Sequence, residues 1–324
     1  MKKYLITGGA GFIGHHLTDY LLKQNHSVTI LDNFTRSDES RISDFKDNKN
    51  FFFYNTDIKK YNEIADFFAG IDCVYHLAAI NGTENFYKIP IEILEVGTYG
   101  CINVVKASDY YGVKDLIIAS SAEVYQNPSK VPTNEGASLS IPDPHNPRYS
   151  YALSKIFSEI YSLNYHFKNE TRLKLFRPHN IYGPNMGYKH VIPEFILNLS
   201  ETEGKFFAPK GDINTTRAFC YVSDLINGLE ILENSDANKE IFHIGNDNEV
   251  TIHELFKQIK KIMSVDVDIE KEFINRHEGS PSRRCPDISK IRALGYEPKI
   301  SLDNGLRNTI EWYTQNKKLT TNYI

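Results

Sequence analysis

Tyr4–Leu17 reads YLITGGAGFIGHHL. A short apolar run, KYLIT, enters a glycine turn, Gly8-Gly9-Ala10-Gly11-Phe12-Ile13-Gly14. The segment that leaves the turn carries Ile13, Leu17, Leu21 and Leu22 on one helical face. Strand, turn and helix are predicted in that order. Gly8 permits the tight turn. Gly11 lets main chain approach an anion at the helix N-terminus, where free N–H groups and the helix dipole favour negative charge, and Gly14 lets helix and strand pack closely. The GxxGxxG spacing differs from plain GxGxxG, and glycine turns of this kind are common, so context decides. The next strand, SVTILD, closes on Asp32. An acid there accepts hydrogen bonds from both adenosine ribose hydroxyls and repels a 2′-phosphate, which predicts NAD over NADP. A strand-end cap is the bland alternative, and Arg36 nearby softens the preference. The predicted NAD surround takes in Gly8, Gly11, Phe12, Ile13, Gly14, Asp32 and Asn33, then Asp57 and Ile58, then Leu77, Ala78 and Ala79. Asp57 is read either as a partner for the adenine amino group or as a surface turn residue.

Outward from the turn, the first half alternates strands and helices. FFFYN, CVYHLAA, DLIIAS and LKLFR read as the third to sixth strands, with a helix from about 91 to 111. Continuous apolar strands separated by helices predict an α/β fold: a doubly wound parallel Rossmann sheet covered on both faces. From about Gly183 the rhythm changes. Pro184, Pro193 and Pro209 punctuate the chain, FCYVSD and IFHIGN read as short strands, and TIHELFKQIKKI and the stretch around LRNTIEWY read as helices. The expected division is an NAD-binding domain over 1–183 and a smaller substrate-binding region over 184–324, with parts of 216–246 returning to the first.

The 324 residues carry a net charge of −4 with both signs dispersed, which gives no electrostatic case for nucleic acid. No apolar run approaches the roughly 18 residues of a membrane span. The N-terminus lacks the apolar stretch and cleavage site of a signal peptide, so the cytoplasm is the expected compartment. Cys73, Cys101, Cys220 and Cys285 form no CxxC pair and read as reduced thiols. Cys73 and His76 fall on opposite faces of a strand, and HExxH is absent, so no metal is expected.

Near the middle stands YSYALSK, Tyr149–Lys155. Tyr151 and Lys155 are four apart and share a helical face, whereas Tyr149 would need a lysine where Leu153 stands. An ammonium group and a positive cofactor ring both favour a phenolate. Tyr151 then takes the proton of a substrate hydroxyl while hydride leaves the same carbon, and Ser121, at the end of the fifth strand, hydrogen-bonds that oxygen.

Glycine turn, Asp32, SSAEVY and YxxxK, in this order, resemble the extended short-chain dehydrogenases/reductases, specifically the NAD-dependent nucleotide-sugar epimerases and dehydratases. The resemblance spans nearly the whole chain. It implies a catalytic set of Ser121, Tyr151 and Lys155, and NAD as the cofactor. RPHNIYGP, TRAFCYVSD and SPSRRCPDISKIRALGYEPKISL look like family segments that hold a sugar nucleotide, which implies substrate roles for Asn180, Arg217 and Arg284. Arg283 reads equally as a surface ion pair. The resemblance also implies a homodimer built from the 91–111 and 150–167 helices.

Two departures stand out. Gly97 occupies the place of a family asparagine. A helix-interior glycine costs about 1 kcal/mol relative to alanine, and a close approach by cofactor or substrate is the expected reason, with Asn81 as a substitute for the missing amide. The catalytic turn reads Ser121-Ala122-Glu123: Ala122 resembles a 4-epimerase, Glu123 a 4,6-dehydratase or a glucuronate decarboxylase. The expected activity is a nucleotide-sugar 4-epimerase working through transient oxidation at C4. The alternatives are dehydration or decarboxylation after the same oxidation, with Glu123 as a fourth catalytic residue, and, more remotely, a non-catalytic NAD sensor.

Overall fold

The computed structural model describes residues 1–201, 206–207, 212–269 and 281–316, apart from the side chains of 206–207 and 268–269. Ser280, which opens the expected C-terminal substrate segment, lies outside the described residues.

The main sheet has seven strands. They are β1 (Lys3–Thr7), β2 (Ser27–Asp32), β3 (Phe51–Asn55), β4 (Cys73–His76), β5 (Asp115–Ala119), β6 (Arg172–Pro178) and a seventh, Glu240–Ile244. Their spatial order is β3-β2-β1-β4-β5-β6-seventh, and every pairing is parallel. The order reverses between β1 and β4, so a crevice opens outside the carboxyl ends of those two strands. Thr7 Oγ1 and His76 Nδ1, 2.7 Å apart, join the two ends.

Alternate residues feed opposite faces, as the pleat requires. Ile6, Ile30 and Ile117 pack with α1 (Phe12–Lys23) and the helix Val222–Asn234. Leu5, Val74 and Ile118 pack under the helix Pro90–Tyr110. Beside that helix lies Ser150–Asn164, which bears Tyr151 and stops short of the 167 expected from sequence. No helix among the described residues is long and apolar enough to cross a membrane.

Gly97 is explained by this helix pair rather than by a ligand. A Cβ at Gly97 would lie 2.5 Å from Ser154 Cβ, and Ser158 Oγ donates to the Gly97 carbonyl at 3.1 Å. The glycine lets the Tyr151 helix sit close against its neighbour.

The later part of the chain has its own core, with Tyr182, Phe195, Phe256, Leu306 and Tyr313. Of the stretch 216–246, the helix Val222–Asn234 and the seventh strand return to the main sheet. Thr216–Ala218 does not: it pairs antiparallel with Glu249–Thr251 and parallel with Arg283–Arg284. FCYVSD yields only a two-residue strand, Cys220–Tyr221, because Val222 already begins a helix. TIHELFKQIKKI folds as the helix Ile252–Met263, fixed by a capping box between Thr251 and Glu254.

Candidate active site

One cleft of about 410 Å³ follows the carboxyl ends of β1, β2, β4 and β5. Every residue predicted from sequence to touch cofactor or substrate lines it, except Arg217. Gly8 has a left-handed φ of +73°, and a Cβ there would lie 2.7 Å from the Ala78 main chain. At Gly14 a Cβ would lie 2.4 Å from the Gly8 carbonyl oxygen, main chain that cannot step aside. Gly11 precedes α1, whose N-terminus has no side-chain cap and no acidic residue in its first turn. Arg36, Arg41 and Lys189 line the same cleft. An uncapped helix start facing a cationic groove fits the pyrophosphate of a dinucleotide.

Asp32 accepts from Ala10 N–H at 3.1 Å and from Phe34 N–H at 2.8 Å. It therefore caps the glycine turn as well as facing the cleft. Burial raises its carboxyl above the ordinary value, against the pull of those N–H groups. Asp57 likewise accepts from Lys59 N–H at 2.9 Å while lining the cleft.

At the other end stands Tyr151, 8 % exposed, its ring stacked on Phe86 with centroids 5.5 Å apart and planes at 12°. Burial pushes its hydroxyl up to about 12, while a hydrogen bond from Ser121 favours the phenolate. Ser121 Oγ also accepts from Glu123 N–H at 3.1 Å, which fixes the catalytic turn. Lys155 is 2 % exposed and donates to the Ala119 carbonyl at 2.7 Å. Its Nζ lies 5.8 Å from the Tyr151 ring centroid, and burial pulls it down to about 8. Tyr149 is buried and does not line the cleft. Tyr125 is equally unavailable: its hydroxyl meets His243 Nε2 at 2.6 Å, and Arg177 donates to it.

Glu123 Oε1 accepts from Arg284 Nη1 at 2.8 Å. Burial alone would raise this carboxyl, but Arg284, Arg148 and Arg217 outweigh it and hold the group below the ordinary carboxylate range. Arg217 stands opposite Arg284 on the neighbouring strand rather than in the cleft wall. Asn180 lines the cleft while its Nδ2 donates to the Ala218 carbonyl at 3.0 Å. Arg283 is the surface alternative, paired with Glu249 at 2.5 Å. His190 lines the cleft, and burial pulls it down to about 4. His179 is 1 % exposed, and neither ring nitrogen has a hydrogen-bond partner.

Residues 184–190 give Met186, Gly187, Lys189 and His190 to the cleft wall and are latched to earlier parts of the chain. The Pro184 carbonyl meets His16 Nε2 at 2.9 Å, the Asn185 carbonyl accepts from Arg41 Nη1 at 2.5 Å, and Lys189 pairs with Glu84. Arg41, Phe86, Lys189 and Arg148 carry no motif and escaped the sequence reading.

Comparison with known proteins agrees with this geometry. The model of the NAD dependent epimerase/dehydratase family matches residues 4–245. The chain belongs to that family. It is 33 % identical over 317 residues to UDP-glucuronic acid decarboxylase 1 of Danio rerio, covering 97 % of this chain and 73 % of the relative. It is 32 % identical over 323 residues to UDP-N-acetyl-alpha-D-glucosaminuronate decarboxylase of Bacillus cytotoxicus, covering 97 % and 98 %. Among solved structures, the epimerase Mth375 of Methanothermobacter thermautotrophicus superposes with a TM-score of 0.89 at 29 % identity, covering 99 % of this chain and 94 % of that one. NAD is the cofactor of the family, and the glycine turn, the uncapped α1 and the Lys155 end of the cleft are the places that would hold it.

Proposed function

We propose that this chain oxidises C4 of a nucleotide-activated hexuronic acid and releases its carboxyl group as CO₂. The supporting observation is the Glu123–Arg284 ion pair beside Ser121 and Tyr151, at a place where epimerisation of a neutral sugar needs no charged group. Its weight grows with the likeness to two decarboxylases. The first domain takes NAD, and Asn180, at the end of that domain, together with Arg217 and Arg284 of the later region takes the nucleotide.

When bound, NAD supplies a hydride acceptor that carries positive charge. Tyr151 removes the proton from the C4 hydroxyl, and Ser121 hydrogen-bonds the same oxygen. The resulting ketone stands β to the carboxylate. The C5–carboxyl bond breaks, CO₂ leaves, and the electron pair moves into the enolate formed over C5, C4 and O4. The donors on O4 stabilise the charge arriving there. C5 then takes up a proton from solvent in place of the lost carboxyl group. Tyr151 gives its proton back to O4 as the C4 alcohol is restored, so the cycle consumes one proton and has no net redox change.

Dehydration is disfavoured. It needs an acid beside the leaving hydroxyl, and Glu123 is held ionised by its guanidinium neighbours. The other carboxyl groups lining the cleft, Asp32 and Asp57, follow β2 and β3 on the far side of β1. The 4-epimerase expected from sequence becomes the second reading, favoured by Ala122 and by the likeness to Mth375. Mass spectrometry after incubation with UDP-glucuronate, UDP-N-acetylglucosaminuronate, UDP-glucose and UDP-N-acetylglucosamine separates the two. Loss of CO₂ from a uronate is expected. Isomerisation of a neutral sugar, with every uronate left intact, would replace the decarboxylase by the epimerase.

A homodimer completes the proposal. Tyr99 and Tyr110 on the helix Pro90–Tyr110 are 56 % and 74 % exposed, and Leu153 and Ile160 on the Tyr151 helix are 43 % and 56 % exposed. Each pair shares one helical face, and the two helices are neighbours. A second copy covering these faces would bury them in a four-helix bundle. Ile160→Asp should turn a dimer into a monomer in light scattering; a wild-type chain that is monomeric at micromolar concentration removes this part.

A further inference from the structure

Thr216–Ala218 and Arg283–Arg284 run parallel with Arg284 opposite Arg217, so two guanidinium groups leave one small sheet side by side. Arg284 donates to Glu123 through Nη1. A third guanidinium approaches from the other domain. Arg148 belongs to the turn Pro147–Tyr149 that leads into the Tyr151 helix, and Asn146 Oδ1 fixes the turn by accepting from Arg148 N–H at 3.0 Å. It is 7 % exposed, and its Nε is buried without a hydrogen-bond partner.

A buried N–H left without a partner is costly, and more so on a charged group. The charges that face Arg148 do not relieve this. Its field is felt at Glu123, which Arg284 already holds, and at Arg217, a like charge. Position narrows the missing partner. Arg217 and Arg284 belong to the later region, where the nucleotide is proposed to lie. Arg148 is three residues before Tyr151, one turn of the chain from the group that acts on the sugar. An anion on the sugar suits that place, and a neutral hydroxyl leaves the charge uncompensated.

We propose that Arg148 receives the carboxylate of the sugar and thereby selects nucleotide-activated uronic acids over neutral nucleotide sugars. This rests on the decarboxylase reading above. The planar guanidinium fork suits a carboxylate, which it grips with two parallel hydrogen bonds. In the reaction, negative charge leaves that carboxylate for O4, so the grip is stronger on bound substrate than on the transition state. Arg148 is therefore a residue of recognition, and its loss falls on KM more than on kcat.

The test is titration calorimetry on NAD-loaded protein carrying Tyr151→Phe, which stops turnover, with UDP-glucuronate and UDP-glucose, for the chain otherwise wild type and with Arg148→Gln or Arg148→Lys added. The otherwise wild-type chain should prefer the uronate. Arg148→Gln should weaken UDP-glucuronate about 30-fold and UDP-glucose by less than about threefold, as expected for one charged hydrogen-bonded pair. Arg148→Lys, which keeps the charge without the fork, should fall between, and it carries the test if the glutamine variant fails to fold. Equal weakening of both ligands would assign Arg148 to the nucleotide or to the fold, and unchanged affinities would remove it from the site; either overturns the proposal. Its failure is distinct from failure of the decarboxylase reading. A wild type that releases CO₂ while Arg148→Gln binds the uronate normally sinks this inference alone. A wild type that releases none from any uronate sinks that reading.

Discussion

Tyr151→Phe should lose turnover by about 10²–10⁴-fold, the usual range for a positioned proton-transfer group, while binding NAD as wild type does. The substitution removes one oxygen and little else. The ring is stacked on Phe86 and buried, so phenylalanine fills the same volume. Ser121 keeps its second partner, the Glu123 N–H, and the catalytic turn stays in place. What disappears is the group proposed to take the C4 proton and later return it. NAD affinity by fluorescence and product formation by mass spectrometry read the two properties separately. Turnover within about tenfold of wild type would move the proton-transfer role to another residue.

Lys155→Met should abolish turnover and stabilise the cofactor-free protein at the same time. The ammonium is 2 % exposed, and burial pulls its value from 10.5 to about 8. The folded state thus binds fewer protons than the unfolded chain between pH 8 and 10.5. Wild-type stability rises with pH through that window, and below about 8 the full penalty is present. The displacement corresponds to about 3 kcal/mol. Loss of the hydrogen bond to the Ala119 carbonyl returns about 1 kcal/mol. The variant should therefore be more stable than wild type by about 2 kcal/mol in denaturant melts at pH 7, and the gap should close as pH approaches 10.5. A variant less stable at pH 7, or a gap independent of pH, would show that the ammonium is not strained in the fold. On the proposed mechanism that stored cost keeps a charge where the chemistry needs one.

The sheet and its phosphate turn were legible because their signals are local. An apolar strand, a glycine turn, an amphipathic helix and Asp32 lie within 30 residues of one another in the sequence, and Tyr151 and Lys155 share one helical face. Gly97 was legible as an anomaly but not as a cause, because its partner, Ser154, lies on another helix. The guanidinium cluster was harder still. Glu123, Arg148, Arg217 and Arg284 come from four distant segments, and the strand pairing that sets Arg284 beside Arg217 is itself non-local. Phe86, Arg41 and Lys189 sit in stretches without periodicity, and no spacing rule reaches them. Asp32 shows a further limit. Sequence offered ligand or cap as alternatives, and the carboxylate caps the turn while facing the cleft.

The bridge of residues 184–190 has a kinetic meaning. Three separate contacts, to His16, Arg41 and Glu84, hold it beside the cleft, so lifting it takes more than the loss of one contact. An enzyme whose oxidation is undone within each cycle gains nothing from exchanging its coenzyme. On the proposed cycle NAD would be a resident tool instead of a consumable, and the traffic through the site would be carried by the sugar nucleotide alone.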